Sequence, residues 1–571
     1  MQGIRAMLSR RTGLVLVVTA LGGLASAGVA SAATYNVNDP SDVPLSPSNS
    51  TTCQTAAGTC TLRAAVQASD NQGGPNTIVL PSGDYKLTIP PQGYPQNSAC
   101  VSTYNYGANG CDANDPAHGD LDVLGGNLLT ITGAGSGTTT IDANKVDRAF
   151  AVNSAASLSL SGLTIQNGQP ADGPYCHSTY YNDIYNCEPS SGNGEGGAVY
   201  SNGALATTSD VVMQNNNAVN AGEYGGAIYS DSGSGSSLSI AGTTFSANNA
   251  DCGGGAIYYD APATATVTGS TFNGNYASCE YGGAIDGEYG AMRIDSSTFS
   301  GNLAYEGGAI YWDNSTDLRV TNSTFQSNTA YNGGALYDND ASSVTLSNDR
   351  FSGNTAYEGG AFYNDANSTA VYTLTSDEFD NNTATYYGVG ALFDLKTFAD
   401  TGSSYIGNSG SFGGVYEVDS YYLTAFSLTN DTMSNNSSDF GGAMYFDRST
   451  PTSMTNDTIA FNSASSGGGG GIAYASDATT GTGTTGVRNT IIAENKGGDC
   501  GVYGSSGTTQ FALSEDAGYN MDSDGSCFGV GTPATAQTTG DKINTNPLLN
   551  QPANNGGSNA AGAPGSTETI L

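Results

Sequence analysis

Six residues past the first glycine of a recurring Gly-Gly pair, the sequence carries Asp231, Asp260, Glu288, Asp313, Asn339, Asp365, Asp419 and Asp447. If the pairs mark equivalent points of stacked chain segments, these side chains form a column with neighbours about 4.8 Å apart. Carboxylates at that spacing repel. A divalent cation relieves the repulsion, calcium being the one that takes such oxygen ligands, and so does plain solvation as an acidic ridge. Both readings stay open. The residue after each G-G-A-[IVL] phrase is aromatic in most copies: Tyr200, Tyr229, Tyr258, Tyr311, Tyr337, Tyr363, Phe393 and Tyr445. The aliphatic residue before it reads as inward-facing, so strand alternation turns the ring outward. A row of Tyr229, Tyr258, Tyr311, Tyr337, Tyr363 and Tyr445 would then be free to stack on sugars or on another protein. The alternative is that the rings only cover the groove beside a turn.

Catalysis needs more than a column. Glycoside hydrolysis requires converging carboxylates as acid and base, and no adjacent Asp-Asp pair occurs in the sequence. A lyase requires an Arg or Lys base beside calcium-holding aspartates. The repeat region offers Arg293, Arg319, Arg350, Lys396 and Arg448, of which Arg448 directly follows Asp447, while Trp312 precedes Asp313. A charge next to a charge is also what an inconsequential surface ion pair looks like. His118 and His177 are the only histidines and no C-x-x-C occurs, which leaves neither a nucleophile–histidine set nor a zinc site.

These residues are positioned by a repeat. Gly-Gly-Ala phrases start at Gly196, Gly225, Gly254, Gly282, Gly307, Gly333 and Gly359, a degenerate copy at Gly388 follows, and further pairs start at Gly413 and Gly441, spaced 25 to 29 residues apart. A second phrase precedes them: Phe245-x-x-Asn248, Phe272-x-x-Asn275, Phe299-x-x-Asn302, Phe325-x-x-Asn328, Phe351-x-x-Asn354 and Phe379-x-x-Asn382, with Tyr405, Met433 and Ile459 in the later copies. Short alternating strands lie between, and no sustained 3.6-residue stripe appears. Such a period means stacked units burying their apolar faces on one another. The expectation is an all-β, single-stranded right-handed parallel β-helix, with Phe as an interior aromatic column and Asn laddering at a turn.

The ten cysteines fall in local pairs: Cys53/Cys60, Cys100/Cys111, Cys176/Cys187, Cys252/Cys279 and Cys500/Cys527. Cys252 and Cys279 each lie seven residues after a repeat Phe, so they share a phase of adjacent coils and fit a coil-to-coil disulfide. Residues 1–32 carry Arg5, Arg10 and Arg11, an apolar run and Ala30-Ser31-Ala32, an export signal, which agrees with disulfide use. Residues 33–75 read as an N-terminal cap with a helix near 62–69. The β-helix is expected over 76–495 with loops at 92–120 and 168–195, and a C-terminal cap and tail over 496–571. In 571 residues, 15 Lys and Arg face 51 Asp and Glu, a net charge of −36, which excludes nucleic acid as a partner. No apolar run after the signal is long enough for a transmembrane helix.

The alternation of G-G-A-[IVL] with F-x-x-N over roughly 190–475 resembles the repeat of chlamydial polymorphic outer-membrane proteins. Cys60-Thr61-Leu62-Arg63-Ala64-Ala65-Val66, followed by Asn76-Thr77-Ile78-Val79-Leu80-Pro81, is similar to the CSLREA domain that precedes exported bacterial β-helices, with Ala64 where that motif has Glu. Asn489-Thr490-Ile491-Ile492-Ala493 and Asn546-Pro547-Leu548-Leu549 are similar to the tails of the same proteins. The resemblance implies a surface or secreted β-helix with an adhesive role. No series of barrel-forming strands follows the repeat here, so anchoring by a barrel is not expected. The sequence thus points to an exported, monomeric, non-enzymatic binder of glycans or cell-surface proteins. A calcium-dependent polysaccharide lyase using Arg448, or a structural envelope spacer, are the alternatives.

Overall fold

The computed structural model describes residues 32–551 except 92–115, 171–173, 179–184, 190–193, 220–221, 232–236, 314–316, 366–370, 387, 389, 394–396, 420–424, 448–452, 467, 476–485, 504–515, 531–534, 537 and 539. The export signal up to Ser31 therefore lies outside the described residues, as do Cys100, Cys111, Lys396 and Arg448.

The repeat builds a solenoid in which each short strand hydrogen-bonds in parallel to its counterpart one coil away. Thr244–Ser246 pairs with Thr271–Asn273, which pairs with Thr298–Ser300, placing Phe245, Phe272 and Phe299 in one register. The register continues through Phe325, Phe351, Phe379, Tyr405, Met433 and Ile459. The rings stack with centroids 4.6 to 4.8 Å apart, the coil spacing itself, and every one is buried. A second interior column, Ile228, Ile257, Ile285, Ile310, Leu336 and Phe362, is the aliphatic position of the Gly-Gly-Ala phrase.

Three residues past each Phe, the asparagines close a polar ladder through the interior of a turn. Asn328 receives the backbone N–H and the Nδ2 of Asn302 on its Oδ1, at 3.0 and 2.9 Å. Its own Nδ2 donates to Phe299 O at 3.1 Å and to Asn354 Oδ1 at 3.0 Å. The side-chain amide thus has both hydrogens placed and its oxygen doubly occupied, which is what allows it to be fully buried. The pattern runs from Asn216 to Asn495, where Asp499 Oδ1 accepts the last two hydrogens and ends it.

A second ladder lies two residues before the aromatic position. Each oxygen accepts the backbone N–H of the preceding coil's ladder residue: Ser270 from Thr243, Ser297 from Ser270, Ser323 from Ser297, Asp349 from Ser323, Asp377 from Asp349, Ser403 from Asp377, Asp431 from Ser403 and Asp457 from Asp431.

The glycine pairs make the remaining corner. Gly333 sits at φ +64°, and a Cβ on it would run into the Leu336 carbonyl; one on Gly334 would strike the Gly360 carbonyl in the next coil.

At the N-terminus one helix, Leu62–Gln72, is capped by Thr61, whose Oγ1 accepts from Ala64 N at 3.1 Å. Ala64, Ala65 and Ala68 are buried, and Arg63 pairs with Asp42 at 2.7 Å and donates to Gly119 O at 2.8 Å. Thr34–Asn36 is already a strand of the parallel stack, and stacking persists beyond residue 495 through Cys500–Val502 and Met521–Asp522 to Lys542–Ile543.

Disulfides join Cys53–Cys60, Cys252–Cys279 and Cys500–Cys527, the second spanning adjacent coils as its phase requires. Cys176 and Cys187 are register partners in the hairpin of Pro174–Ser178 and Tyr185–Pro189. The expected pairing of Cys100 with Cys111 is not among these bridges, because both Cys100 and Cys111 fall outside the described residues. Among the described residues no helix is long and apolar enough to cross a membrane.

The two ladders can be tested separately. Asn328→Ala removes the side-chain donor from the Phe299 carbonyl, leaves two Asn302 hydrogens without their acceptor, and should cost about 2 kcal/mol or more, read as a lower thermal midpoint. The exposed Asn273→Ala should leave the midpoint unchanged. In the second ladder, burial pushes the Asp349 and Asp457 carboxyls up to about 7, against backbone N–H donors that pull them down. Unfolded Asp titrates at about 3.9, so the native chain binds more protons across this window. The stability these two groups contribute is then greatest in acid and is lost as pH rises through about 7. The thermal midpoint should be higher at pH 5 than at pH 8, and Asp349→Ser with Asp457→Ser should shrink that difference.

Candidate functional site: the glycine corner and its tyrosine columns

The Gly-Gly corner turns the chain so that the residue just before it faces, across the bend, the aromatic residue that follows Ala-[IVL]. Tyr224, Gly253, Tyr281, Glu306, Asn332 and Glu358 form the first column through isolated parallel bridges. They meet the second diagonally, one coil on: Tyr224 packs on Tyr258 with centroids 4.7 Å apart, and Tyr281 on Tyr311 at 4.2 Å. Within the second column the rings stack on one another, 4.9 Å from Tyr229 to Tyr258 and 5.3 Å from Tyr311 to Tyr337 and from Tyr337 to Tyr363.

The expected exposed row is therefore corrected. Tyr229, Tyr258, Tyr311, Tyr337, Tyr363 and Tyr445 point away from the main core, yet none is more than 8% exposed. They form small aromatic clusters of their own, with Phe412 and Phe440 covering Tyr445. Alternation gives the right direction for each ring, but the corner folds a second arm over it.

A row of rings that does reach solvent sits two residues before Gly-Gly. Tyr305, Tyr331, Tyr357 and Tyr386 are 48, 42, 37 and 38% exposed and stack with centroids 4.9, 4.8 and 5.3 Å apart. Leu303 and Tyr276, bridged to each other in a neighbouring column, extend the patch. A sequence signal for it exists: in Leu303-Ala304-Tyr305 the alanine is buried and both neighbours are exposed, the alternation of a strand with one face in water.

The acidic column exists but is uneven. Asp231 is buried, Asp260, Glu288, Asp313 and Asp447 are half-buried, and Asp365 is exposed. Asp419 ends the strand Tyr416–Asp419. Asn339 Nδ2 donates to Asp313 Oδ1 at 3.0 Å. Burial, and then the charge of Asp231, raises the Asp260 carboxyl; burial, and then the charges of Asp260 and Asp313, raise that of Glu288.

Of the basic residues, Arg293 pairs with Asp317 at 2.7 Å, Arg350 lies 3.5 Å from Glu378 and 3.2 Å from Asp380, and Arg319 is exposed. A cation does reach the tyrosine column at Arg148, from a coil where Asp147-Arg148 replaces Gly-Gly. Its guanidinium lies 5.4 Å from the Tyr200 centroid and 3.6 Å from Asp120. Beside it burial, reinforced by Asp231 and Glu223, pushes the Glu195 carboxyl up to about 8 against the pull of Arg148. Nothing in the repeat phrase flags Arg148, because its coil lacks the phrase.

The tightest acidic trio among the described residues is Asp499, Asp522 and Asp524, with oxygens within 4.8 Å. Its oxygens are already engaged by the chain: Asp499 takes Asn495 and Ser523, and Asp522 takes Gly525, Cys527 and Phe528.

Residues 233–384 match the family described as right handed beta helix region. The chain is a right-handed parallel β-helix. No curated protein matches it. Among solved structures, a catalytic domain of a GH87 alpha-1,3-glucanase variant in complex with tetrasaccharides aligns at TM-score 0.28 and 10% identity over 78% of this chain. The same type of domain with nigerose aligns at TM-score 0.23 and 12% identity over 77% of this chain. This β-helix spans 64% of the length of each glucanase domain. A PL6 family alginate lyase, AlyGC, aligns at TM-score 0.19 and 9% identity over 75% of this chain and 93% of its own. These likenesses are of fold alone.

The two tyrosine columns predict opposite responses to truncation. Tyr337→Ala empties a packed aromatic site and should cost about 3 kcal/mol, whereas Tyr331→Ala, at the surface, should cost under about 1 kcal/mol. Paired thermal melts measure both.

Proposed function

We propose that this β-helix is an exported, non-enzymatic binding protein of the cell surface or extracellular space, and that it holds extended glycan chains along the ladder of Tyr305, Tyr331, Tyr357 and Tyr386. The observation that carries the reading is the ladder itself, four part-exposed rings in register at 4.8 to 5.3 Å. Because the rings face one another, they offer the ligand a row of apolar edges and phenolic hydroxyls, one of each per coil. A polysaccharide repeats its own apolar C–H faces and hydroxyls along its length and meets such a row many times over. The strongly acidic surface favours neutral chains, or acidic chains bridged by divalent cations.

The test is to incubate the exported chain, residues 33–571, with and without calcium, with a polysaccharide panel that includes pectins and alginate. Both retained protein and released fragments are followed. Retention without fragments is expected, and Tyr331→Ala with Tyr357→Ala should weaken it about tenfold or more. Unsaturated fragments would replace this reading with a lyase and direct attention to Arg448 and Asp447.

A further inference from the structure

The glycine corner contains one break in its aromatic packing. In the second column Tyr200, Tyr229 and Tyr258 lead on to Tyr311, Tyr337 and Tyr363, but strand Ile285–Asp295 places Asp286 between Tyr258 and Tyr311. The facing column breaks at the matching diagonal, with Gly253 between Tyr224 and Tyr281. Where neighbouring coils set a ring against a ring, this pair sets a carboxylate against a bare Cα. The Asp286 carboxylate occupies the space that a Cβ at Gly253 would need.

The carboxylate is fully buried, and neither oxygen has a hydrogen-bond partner. The charges acting on it are those of Glu288, Asp313, Asp260 and Glu280, all of its own sign. An ionised carboxylate in such a place is strongly unfavourable. Protonation removes the charge but leaves an O–H in need of an acceptor, against the general rule that buried polar groups are satisfied. A cation resolves both problems, because it engages the bare oxygens and offsets the surrounding carboxylates together.

The local frame suits one. Asp286 and Glu288 are two apart on one strand, which bulges at Glu288 against the preceding coil, while Gly287 between them lies against Trp312. A hydrogen bond from Tyr258, the register partner of Asp286 in that preceding coil, holds Glu288 towards the Asp286 side. Cys252, next to Gly253, is joined to Cys279 in the adjoining coil, with Cα atoms 4.7 Å apart, so the two coils are pinned where ring stacking is missing. The Asp499 trio lacks this character, since its oxygens already serve the backbone.

We propose that Asp286 and Glu288 bind one calcium ion in the glycine corner, with the charges of Asp260 and Asp313 drawing it in. Two carboxylates, completed by carbonyl and water oxygens, make an ordinary calcium ligand set. The site is independent of the glycan reading, and its test needs no glycan.

Calcium is titrated calorimetrically into chelator-stripped residues 33–571 at pH 7.5, and thermal melts are recorded with calcium and after excess chelator. Saturable binding and a calcium-dependent rise in the midpoint, reversed by chelator, are expected. Asp286→Asn should weaken binding about 100-fold. Asp286→Tyr, which restores the repeat residue, should abolish the calcium-dependent rise while melting at or above the calcium-free wild type. Asp524→Asn should bind as wild type does. An indifferent wild-type melt without calorimetric binding overturns the proposal. So does retention of wild-type affinity in Asp286→Asn, or loss in Asp524→Asn alone, which would place the ion at the C-terminal trio.

Discussion

The structure depends on one hydrogen-bonding requirement, that a side-chain amide enclosed within a solenoid must have every donor and acceptor used. The ladder from Asn216 to Asn495 meets it by making each amide the partner of the one a coil away and of the carbonyl of the core-column residue, aromatic in most coils, behind it. The aromatic column stacks at the coil spacing because the strands that carry it are held at that spacing, and the ladder fixes which residue lies over which. An amide one coil out of place has no partner, so register is enforced by the penalty for a buried unpaired group, in addition to the non-directional pull of the apolar core. Two interior carboxylates are paired in the same way. Asp338 receives Tyr372 Oη and Asn364 Nδ2, and Asp400 receives Ser403 Oγ and Tyr405 Oη.

Much of this was legible in the sequence because its signals repeat. Phe, Asn and Gly-Gly recur at fixed offsets, and each does something that few other residue types can do. A flat ring stacks, an amide donates and accepts at once, and a residue without a side chain fits the corner. The Cys252–Cys279 bridge could be read from phase for the same reason. The serine and aspartate ladder was not legible, because its requirement is for an oxygen that accepts one N–H. Thr490, Ser270, Asp349 and Asn520 all supply one, so no single letter recurs.

The candidate site was read with less success, and the reason is geometric. Period-two alternation tells which way a side chain leaves its own strand. It does not tell what a neighbouring arm places over it, and at a glycine corner that arm lies within ring-stacking distance. Hence Tyr337 is covered and Tyr331 is not, although both leave the core side of their strands. Asp286 was passed over for a related reason: it occupies a tyrosine position, so a search at the acidic offset finds Glu288 instead.

The exposed tyrosine ladder has translational symmetry. A polymer that shifts along it by one coil meets nearly the same ring edge and hydroxyl, so the bound state is a set of equivalent registers. Occupancy of any one rung is interchangeable, and the number of registers grows with the length of the polymer. On the proposed glycan reading, the surface would discriminate by chain length and extension more sharply than by any single residue of the ligand, and a short oligomer would be held far less well than the chain it was cut from. Such a face would then serve as a rail along which a polymer slides without being released.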